Sequence, residues 1–199
     1  MKTVRIYGTA KNIRHTPPAP QGSEVWLSNS PGTFEKRHPK ALLEWTRWFN
    51  LHSKKHILAT YPSGWKYFQE RADGRPVYLQ KAHKDVPTSK VFPRDEIQNF
   101  FAMSAGPNRY FVCTVCWLIA LAIFEGFQRI ELWGFELKDT KPGERHAFER
   151  PCVWYWIKQA RDRGIDVVYQ KELTRLPFEP GDAETYVGPL YGYETKPEE

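Results

Sequence analysis

The chain has 199 residues, and 15% of them are aromatic, which excludes a disordered protein and predicts a folded domain with a sizeable core. The formal net charge of +6 favours an anionic partner such as a nucleotide or a nucleic acid. Because the 29 basic and 23 acidic residues are interleaved without a long block, the excess charge is equally consistent with solubility alone.

The first strand is predicted at residues 3–7, where TVRIY alternates polar and apolar side chains. Gly8 and Thr9 follow as a turn, and a first strand that ends in glycine is what a Rossmann-like fold needs for close approach of its backbone to a ligand. The full motif GxGxxG is missing from the sequence, so the turn by itself does not define a nucleotide site. Three prolines predict an extended loop over residues 15–22.

Two further strands, predicted at residues 24–28 and 47–51, each deliver an Asn at or near the carboxyl end, namely Asn29 and Asn50. An amide offers both a donor and an acceptor, so this pair is suited to reading the edge of a base or a sugar. His52 follows the third strand beside Asn50 and points at the same edge. The alternative interpretation is that Asn simply favours turns and that His52 is a hydrogen-bonding scaffold.

The middle of the chain contains an almost unbroken apolar run at residues 113–124. This run is too short for the roughly 20 residues that a membrane span needs, and it is long enough for a buried helix. Gly126 offers a left-handed end to this helix, and residues 129–133 read as a strand. Helix and strand make half of a βαβ unit, so the helix start near residues 112–115 opens at the edge where such sheets bind ligands.

The three cysteines are predicted to lie in the core. Cys113 and Cys116 form a CxxC within the apolar run, and Cys152 stands apart. A thioredoxin-like motif needs a polar, exposed helix start, and a zinc site needs a second pair of ligands. The odd cysteine count, without a signal-peptide pattern, favours a reduced, cytoplasmic protein.

The remaining elements complete an α/β pattern. Helices are predicted at residues 63–72 and 94–103 and a strand at 76–79; a helix at 151–163 and a strand at 165–169 follow the polar loop 138–145. About six strands alternate with about four helices, which predicts a doubly wound, mostly parallel Rossmann-like sheet with helices on both faces. Residues 1–170 form the predicted nucleotide-binding domain, and residues 171–199 form an extended C-terminal tail.

The segment at residues 109–136 resembles the Thr/Ser-rich start, apolar helix and following strand of Rossmann-like bacterial sialyltransferases and of the related pterin pyrophosphokinase-like proteins. The order of the preceding elements is similar as well, so the resemblance extends over residues 1–170. A narrower resemblance is to uncharacterised phage proteins that share Trp-Phe-(Glu/Asn)-Leu-His, (Gln/Glu)-Arg-Pro and Leu-Tyr-Gly-Tyr-Glu motifs. These motifs stand here at residues 48–52, 149–151 and 190–194.

The sialyltransferase resemblance implies roles for single residues. It places Asn29 and Asn50 on a nucleotide and Thr114 at its ribose or phosphate, and His146 falls in the loop region where those enzymes carry a catalytic base. Two departures leave the identity of the nucleotide open. The usual Gly-x-Gly-Pro-Ser after the first strand is Gly-Thr-Ala-Lys-Asn here, and Thr-Ser-Gly at the helix start is Thr-Val-Cys.

The polar loop and its flanks hold the best catalytic constellation, which consists of Glu136, Glu144, Arg145, His146, Glu149 and Arg150. Inverting glycosyl transfer needs a general base for the acceptor hydroxyl and cations for the departing phosphate, and a His flanked by Arg supplies both. The alternative is that His146 is a solvated loop residue and that Glu149 and Arg150 cap the following helix. The sequence shows no nucleophile elbow, Walker lysine or cluster of metal ligands.

These features predict a nucleotide-sugar-dependent, glycosyltransferase-like transferase, with no metal and no cofactor beyond the nucleotide or nucleotide-sugar ligand. The predicted catalytic residues are His146, Glu136 and Arg150, and the predicted ligand-binding residues are Gly8, Thr9, Asn29, Asn50, His52, Thr114 and Arg145. One alternative is a phage nucleotide-binding protein without chemistry, located in the host cytoplasm. Another is a factor that modifies or binds DNA through the basic residues 36–38 and 54–56. We expect no membrane partner, and homo-oligomer formation is left open.

Overall fold

A computed structural model describes residues 1–10, 13, 16–101, 110–137 and 149–170. Within them, seven strands form one sheet in the order β5-β4-β3-β2-β1-β6-β7, and every neighbouring pair is parallel. The strands are β1 Thr3–Tyr7, β2 Glu24–Ser28, β3 Arg47–Phe49, β4 Val77–Leu79, β5 Ser89–Val91, β6 Arg129–Trp133 and β7 Asp166–Tyr169. The predicted doubly wound α/β fold is confirmed, with seven strands rather than six because β5 lies in a segment predicted to be irregular.

Seven helices lie in the described residues, compared with the four predicted. They are α1 Pro31–Arg37, α2 Ala41–Glu44, α3 Lys54–Thr60, α4 Pro62–Glu70, α5 Arg94–Phe100, α6 Thr114–Phe124 and α7 Glu149–Arg161. The first four pack on one face of the sheet around Trp48, and the last three pack on the other face around Trp117. Because both faces are covered, the strands are buried on both sides, as parallel strands usually are.

Helix α6 explains the apolar run of the sequence. Ten of its 11 residues are buried, since the helix lies between the sheet and its neighbours α5 and α7. Gly126 ends the helix with a φ of 71°, the left-handed conformation that glycine adopts without strain. Among the described helices, none combines the length and apolar character needed to cross a bilayer.

The direction of strand addition reverses at β1. The chain runs outward from β1 to β5 and then returns to add β6 and β7 on the other side of β1. In such sheets, the carboxyl ends of the two strands beside the reversal flank the usual ligand crevice.

A buried ion pair joins β1 to β6 beneath this edge. Arg5 and Glu131 are register partners, and Arg5 Nε donates to Glu131 Oε2 at 2.8 Å. Burial by itself raises the pKa of Glu131, but hydrogen bonds from Arg5 and Arg129 outweigh burial and leave the pKa below its usual value. Arg5 Nη1 also donates to the carbonyl of Pro17, which fastens the β1–β2 connection over the sheet.

Candidate functional site

Asn29 directly follows β2 and lies in the left-handed region with a φ of 65°. Its backbone is fixed by two contacts, because its N–H donates to the Phe49 carbonyl at 3.0 Å and its own carbonyl accepts from Trp48 Nε1 at 2.9 Å. Asn tolerates this conformation better than other residues that carry a Cβ atom. The fold therefore holds the Asn29 amide at the carboxyl edge of β2.

Thr114 lies at the start of α6 and contacts Asn29. It is the first residue of the helix and is buried, and its Oγ1 donates to Asn29 Oδ1 at 3.2 Å. The preceding residue, Cys113, occupies the N-cap position but does not cap the helix through its side chain. A helix start without a side-chain cap presents N–H groups and the positive end of the helix dipole, which favour a bound anion.

Asn50 occupies the corresponding position after β3 and is completely buried. Its N–H donates to the Tyr78 carbonyl at 3.0 Å, and its Oδ1 accepts from the backbone N–H of His52 at 3.3 Å. That second bond fixes the orientation of the amide, since a backbone N–H can only donate. The structure gives Nδ2 no hydrogen-bond partner among the described residues. An unsatisfied buried donor costs about 1–3 kcal/mol, and its place at a strand end beside Asn29 and Thr114 makes this nitrogen a candidate ligand donor.

Tyr61 lies beside Asn50 and was missed by the sequence analysis. Burial raises the pKa of this phenol, and a hydrogen-bonding interaction with the Asn50 side chain opposes the shift. The two side chains are therefore close neighbours, but the contact falls short of a full hydrogen bond to Nδ2. Tyr61 stands at the joint between α3 and α4, and no sequence pattern links such a joint to β3, which ends at Phe49.

His52 is half-buried and stacks on His56, with ring centroids 4.4 Å apart. His56 in turn lies within 3.5 Å of the Thr60 hydroxyl. The structure thus places His52 at the predicted edge, next to Asn50, and its backbone N–H orients the Asn50 amide. Whether the His52 side chain contacts a ligand remains a prediction.

Gly8 and Thr9 are placed differently, at the carboxyl end of β1, where the chain meets the end of β6. Gly8 N–H donates to the Trp133 carbonyl at 2.7 Å, and Ala10 N–H donates to the Gly134 carbonyl at 2.9 Å. A Cβ atom on Gly8 would lie 2.4 Å from the Gly134 carbonyl oxygen. The close approach that requires this glycine is therefore to β6, and a ligand is not needed to explain it.

Arg150 is buried and holds the chain that leaves β6. Its Nη2 donates to the carbonyl of Leu137 at 2.7 Å, and Leu137 has a φ of 39°, which is strained for a residue with a branched side chain. Glu136, one residue earlier, is half-buried. Arg145 and His146 lie outside the described residues, so the predicted catalytic group remains a prediction.

Two other features can be set apart from this site. Among the described residues, no group of three or more His, Cys, Asp or Glu side chains is placed to hold a metal ion. A shallow cavity of about 250 Å³ lies between α1 and α4, but its charged side chains are exposed, and Arg71 pairs there with Glu35 at 3.6 Å. The buried polar groups described above are therefore the better candidate.

The parallel sheet, its strand order and its helix layers define a Rossmann-like α/β protein with a sialyltransferase-like fold. A solved structure with this fold is that of the sialyltransferase CstII from Campylobacter jejuni, in complex with the substrate analogue cytidine-5'-monophosphate. The match covers 85% of this chain and 79% of the CstII chain, with a TM-score of 0.50 and 12% sequence identity. No protein-family model and no curated protein sequence matches the chain. The resemblance to sialyltransferases is thus confirmed at the level of the fold.

Proposed function

We propose that the protein is a nucleotide-sugar-dependent transferase of the glycosyltransferase type, with its nucleotide bound between the carboxyl ends of β2 and β3 and the start of α6. The observation that carries the proposal is the buried Nδ2 donor of Asn50, which has no partner among the described residues. It lies one strand away from the Asn29–Thr114 pair. The cytidine monophosphate bound by the structurally similar sialyltransferase supports a nucleotide, and a cytidine nucleotide first of all.

The chemistry assigned to the site needs one proton acceptor and several cations. His146 takes the proton of the acceptor hydroxyl as the bond to the sugar forms, and Arg145 and Arg150 stabilise the negative charge on the departing phosphate. Glu136 orients the acceptor or the base. A histidine with an ordinary pKa is a usable base at neutral pH.

The test combines binding with turnover. Thermal shift against cytidine, uridine, adenosine and guanosine monophosphates and their sugar conjugates should show a rise in melting temperature for one base, because a ligand of the native state stabilises it. Mass spectrometry should then show consumption of the matching sugar nucleotide. His146→Ala should abolish turnover and retain binding, whereas His83→Ala, a control on another loop, should retain both. Unchanged turnover in His146→Ala would remove the assignment of the base.

A second candidate function is nucleotide binding without transfer. It is favoured by the contact between Gly8 and Gly134, which occupies the place where a glycine-rich turn would approach a pyrophosphate. Tight binding of a nucleotide, with no product from any sugar conjugate, would select this candidate. The DNA hypothesis has weaker support, because Lys54 of the basic segment 54–56 is paired with Asp85 at 2.8 Å.

A further inference from the structure

Two of the three cysteines form a close thiol pair at the start of α6. Cys113 precedes the helix as its N-cap residue, and Cys116 is the third helical residue, so the pair lies at the helix start. All three cysteines are buried in the core, as predicted. The Sγ atoms are 3.5 Å apart, and Cys116 N–H donates to the Cys113 carbonyl at 3.1 Å. A CxxC at a helix start places both thiols on the same side of one turn, as in dithiol redox motifs.

Accessibility differs between the two thiols. Cys113 is 8% exposed, whereas Cys116 and Cys152 are completely buried. Burial raises the pKa of Cys116, and the adjacent Cys113 thiol raises it further. Cys116 is enclosed, and Cys113 is the residue of the pair that keeps some exposed surface, so we expect a small oxidant to meet Cys113 first. Cys116 then lies within reach of the modified sulfur, since the two Sγ atoms are 3.5 Å apart.

We propose that Cys113 and Cys116 are a redox-active dithiol that a hydroperoxide oxidises to an intramolecular disulfide. The Cys113 thiolate attacks one peroxide oxygen, the O–O bond breaks, and the other oxygen leaves as hydroxide or alkoxide, which gives a sulfenic acid. The Cys116 sulfur then attacks the Cys113 sulfur, the S–O bond breaks, and the Cys116 proton leaves with that oxygen as water. In total, two thiols lose two electrons and two protons, and the peroxide bond is reduced.

The oxidation alters the candidate nucleotide site because Thr114 lies between the two cysteines in sequence. The sulfur atoms must approach from 3.5 Å to about 2.0 Å, which tightens the first turn of α6. Thr114 Oγ1 holds the Asn29 amide from that same turn. The disulfide therefore weakens nucleotide binding; this second part rests on the proposed function, whereas the formation of the disulfide does not.

The first experiment treats the reduced full-length protein with equimolar hydrogen peroxide, stops the reaction, and counts thiols after unfolding. The count should fall from three to one and return to three with dithiothreitol. Trypsin cuts after Arg109 and Arg129, so one peptide carries both cysteines, and it should lose two hydrogens. Three remaining thiols, or a peptide that only gains oxygen, would overturn the proposal.

Variants separate this pair from Cys152. Cys152→Ser should still lose two thiols, and Cys113→Ser should form no intramolecular disulfide; a disulfide that persists in Cys113→Ser would contradict the assignment. The peptide map of the unmutated protein keeps the test valid if a variant fails to fold.

A second arm compares nucleotide affinity of the reduced and oxidised protein, with at least a threefold loss expected on oxidation. Equal affinity in the two forms would overturn the coupling. Loss of two thiols with no nucleotide bound in either form would overturn the proposed function and the coupling, and would support the dithiol itself.

Discussion

Two parts of the carboxyl edge of the sheet differ in how their polar groups are satisfied. At the ends of β1 and β6, the backbones of Gly8 and Gly134 meet so closely that a Cβ atom would clash, and the reversal point is filled by the protein itself. At the ends of β2 and β3, buried polar side chains gather beside a helix start, and the Asn50 amide nitrogen is left without a partner in the described residues. The rule that ligands bind at the reversal point points to this edge, and the proposed function uses the unsatisfied polar groups to choose a position along it.

The largest effect on stability is expected from breaking the Arg5–Glu131 ion pair, which joins β1 to β6. Glu131→Gln leaves Arg5 buried without its counter-ion and should lower the free energy of unfolding by about 3 kcal/mol. Asp166→Asn is the matched control, because Asp166 also pairs with Arg129 but is half-exposed, and its loss should cost about 0.5 kcal/mol or less. Urea unfolding measures both, and equal effects would contradict the importance of burial.

The same pair predicts a dependence of stability on pH. Because the pKa of Glu131 is lowered in the folded protein from the usual 4.5, its contribution is fully present above that pH and is lost as the pH falls through the lower, folded value. Glu131→Gln should therefore lose less stability than the wild type between neutral pH and about pH 3. If the free energies of unfolding of the two proteins changed in parallel with pH, folding would not stabilise the Glu131 carboxylate.

The next largest effect concerns the glycine contact. Gly8→Ala places a methyl group 2.4 Å from the Gly134 carbonyl oxygen and 2.6 Å from the Phe135 ring, and should destabilise the protein by about 2 kcal/mol. Gly32→Ala is the control, because its Cβ atom would meet nothing closer than 3.9 Å within α1, and alanine favours helix. It should leave stability unchanged or raise it, and a neutral Gly8→Ala would show that β1 and β6 are not in close contact.

A smaller effect is expected on ligand binding at the ends of β2 and β3. Asn50→Ala removes a donor that the fold leaves unsatisfied, so nucleotide affinity should fall at least tenfold, or about 1.4 kcal/mol. The substitution also removes the acceptor of the His52 N–H, but relief of the unsatisfied donor offsets that loss, so stability should change by less than about 1 kcal/mol. Ser28→Ala is the control, since the buried Ser28 hydroxyl is already used on the Tyr7 carbonyl at 3.2 Å. It should lose about 1 kcal/mol of stability and retain affinity, and calorimetry that reversed this pattern would reject Asn50 as a ligand group.

The smallest effect separates backbone from side chain at Asn29. With a φ of 65°, alanine is strained there and glycine is not, so Asn29→Ala should be less stable than Asn29→Gly by about 1 kcal/mol. Both variants lack the amide and should bind nucleotide equally weakly. A difference in affinity between them would mean that backbone shape, and not the amide, makes the site.

Much of the fold follows from local patterns. The bounds of β1, β2 and β6 were predicted correctly, as was α6 apart from its first residue, because each is a continuous apolar or alternating segment. Strand β5 was missed, since its side chains are mostly exposed. Helices α1, α2 and α3 have seven residues or fewer and bury one or two of them, which is too short an apolar pattern to identify a helix reliably; α5 is as short and was predicted.

The candidate site was predictable in part. Asn29, Asn50 and Thr114 were identified from strand ends and resemblance, but the contact between Thr114 and Asn29 spans 85 positions and depends on how α6 crosses the sheet. Gly134 packs against Gly8 because β1 pairs with β6. These strands are distant in sequence, so no local pattern reveals the contact.

The most direct test of the nucleotide site is an NMR titration of the ¹⁵N-labelled protein with cytidine monophosphate, with the Asn50 side-chain signal assigned from Asn50→Ala. We expect the signals of the Asn50 side-chain NH₂ and of the backbone N–H groups of Thr114 and Val115 to shift. The backbone signals of Gly8 and Ala10, whose N–H groups are already bonded to Trp133 and Gly134, should not shift. Shifts confined to Gly8 and Ala10, or no shift with any nucleotide, would contradict it.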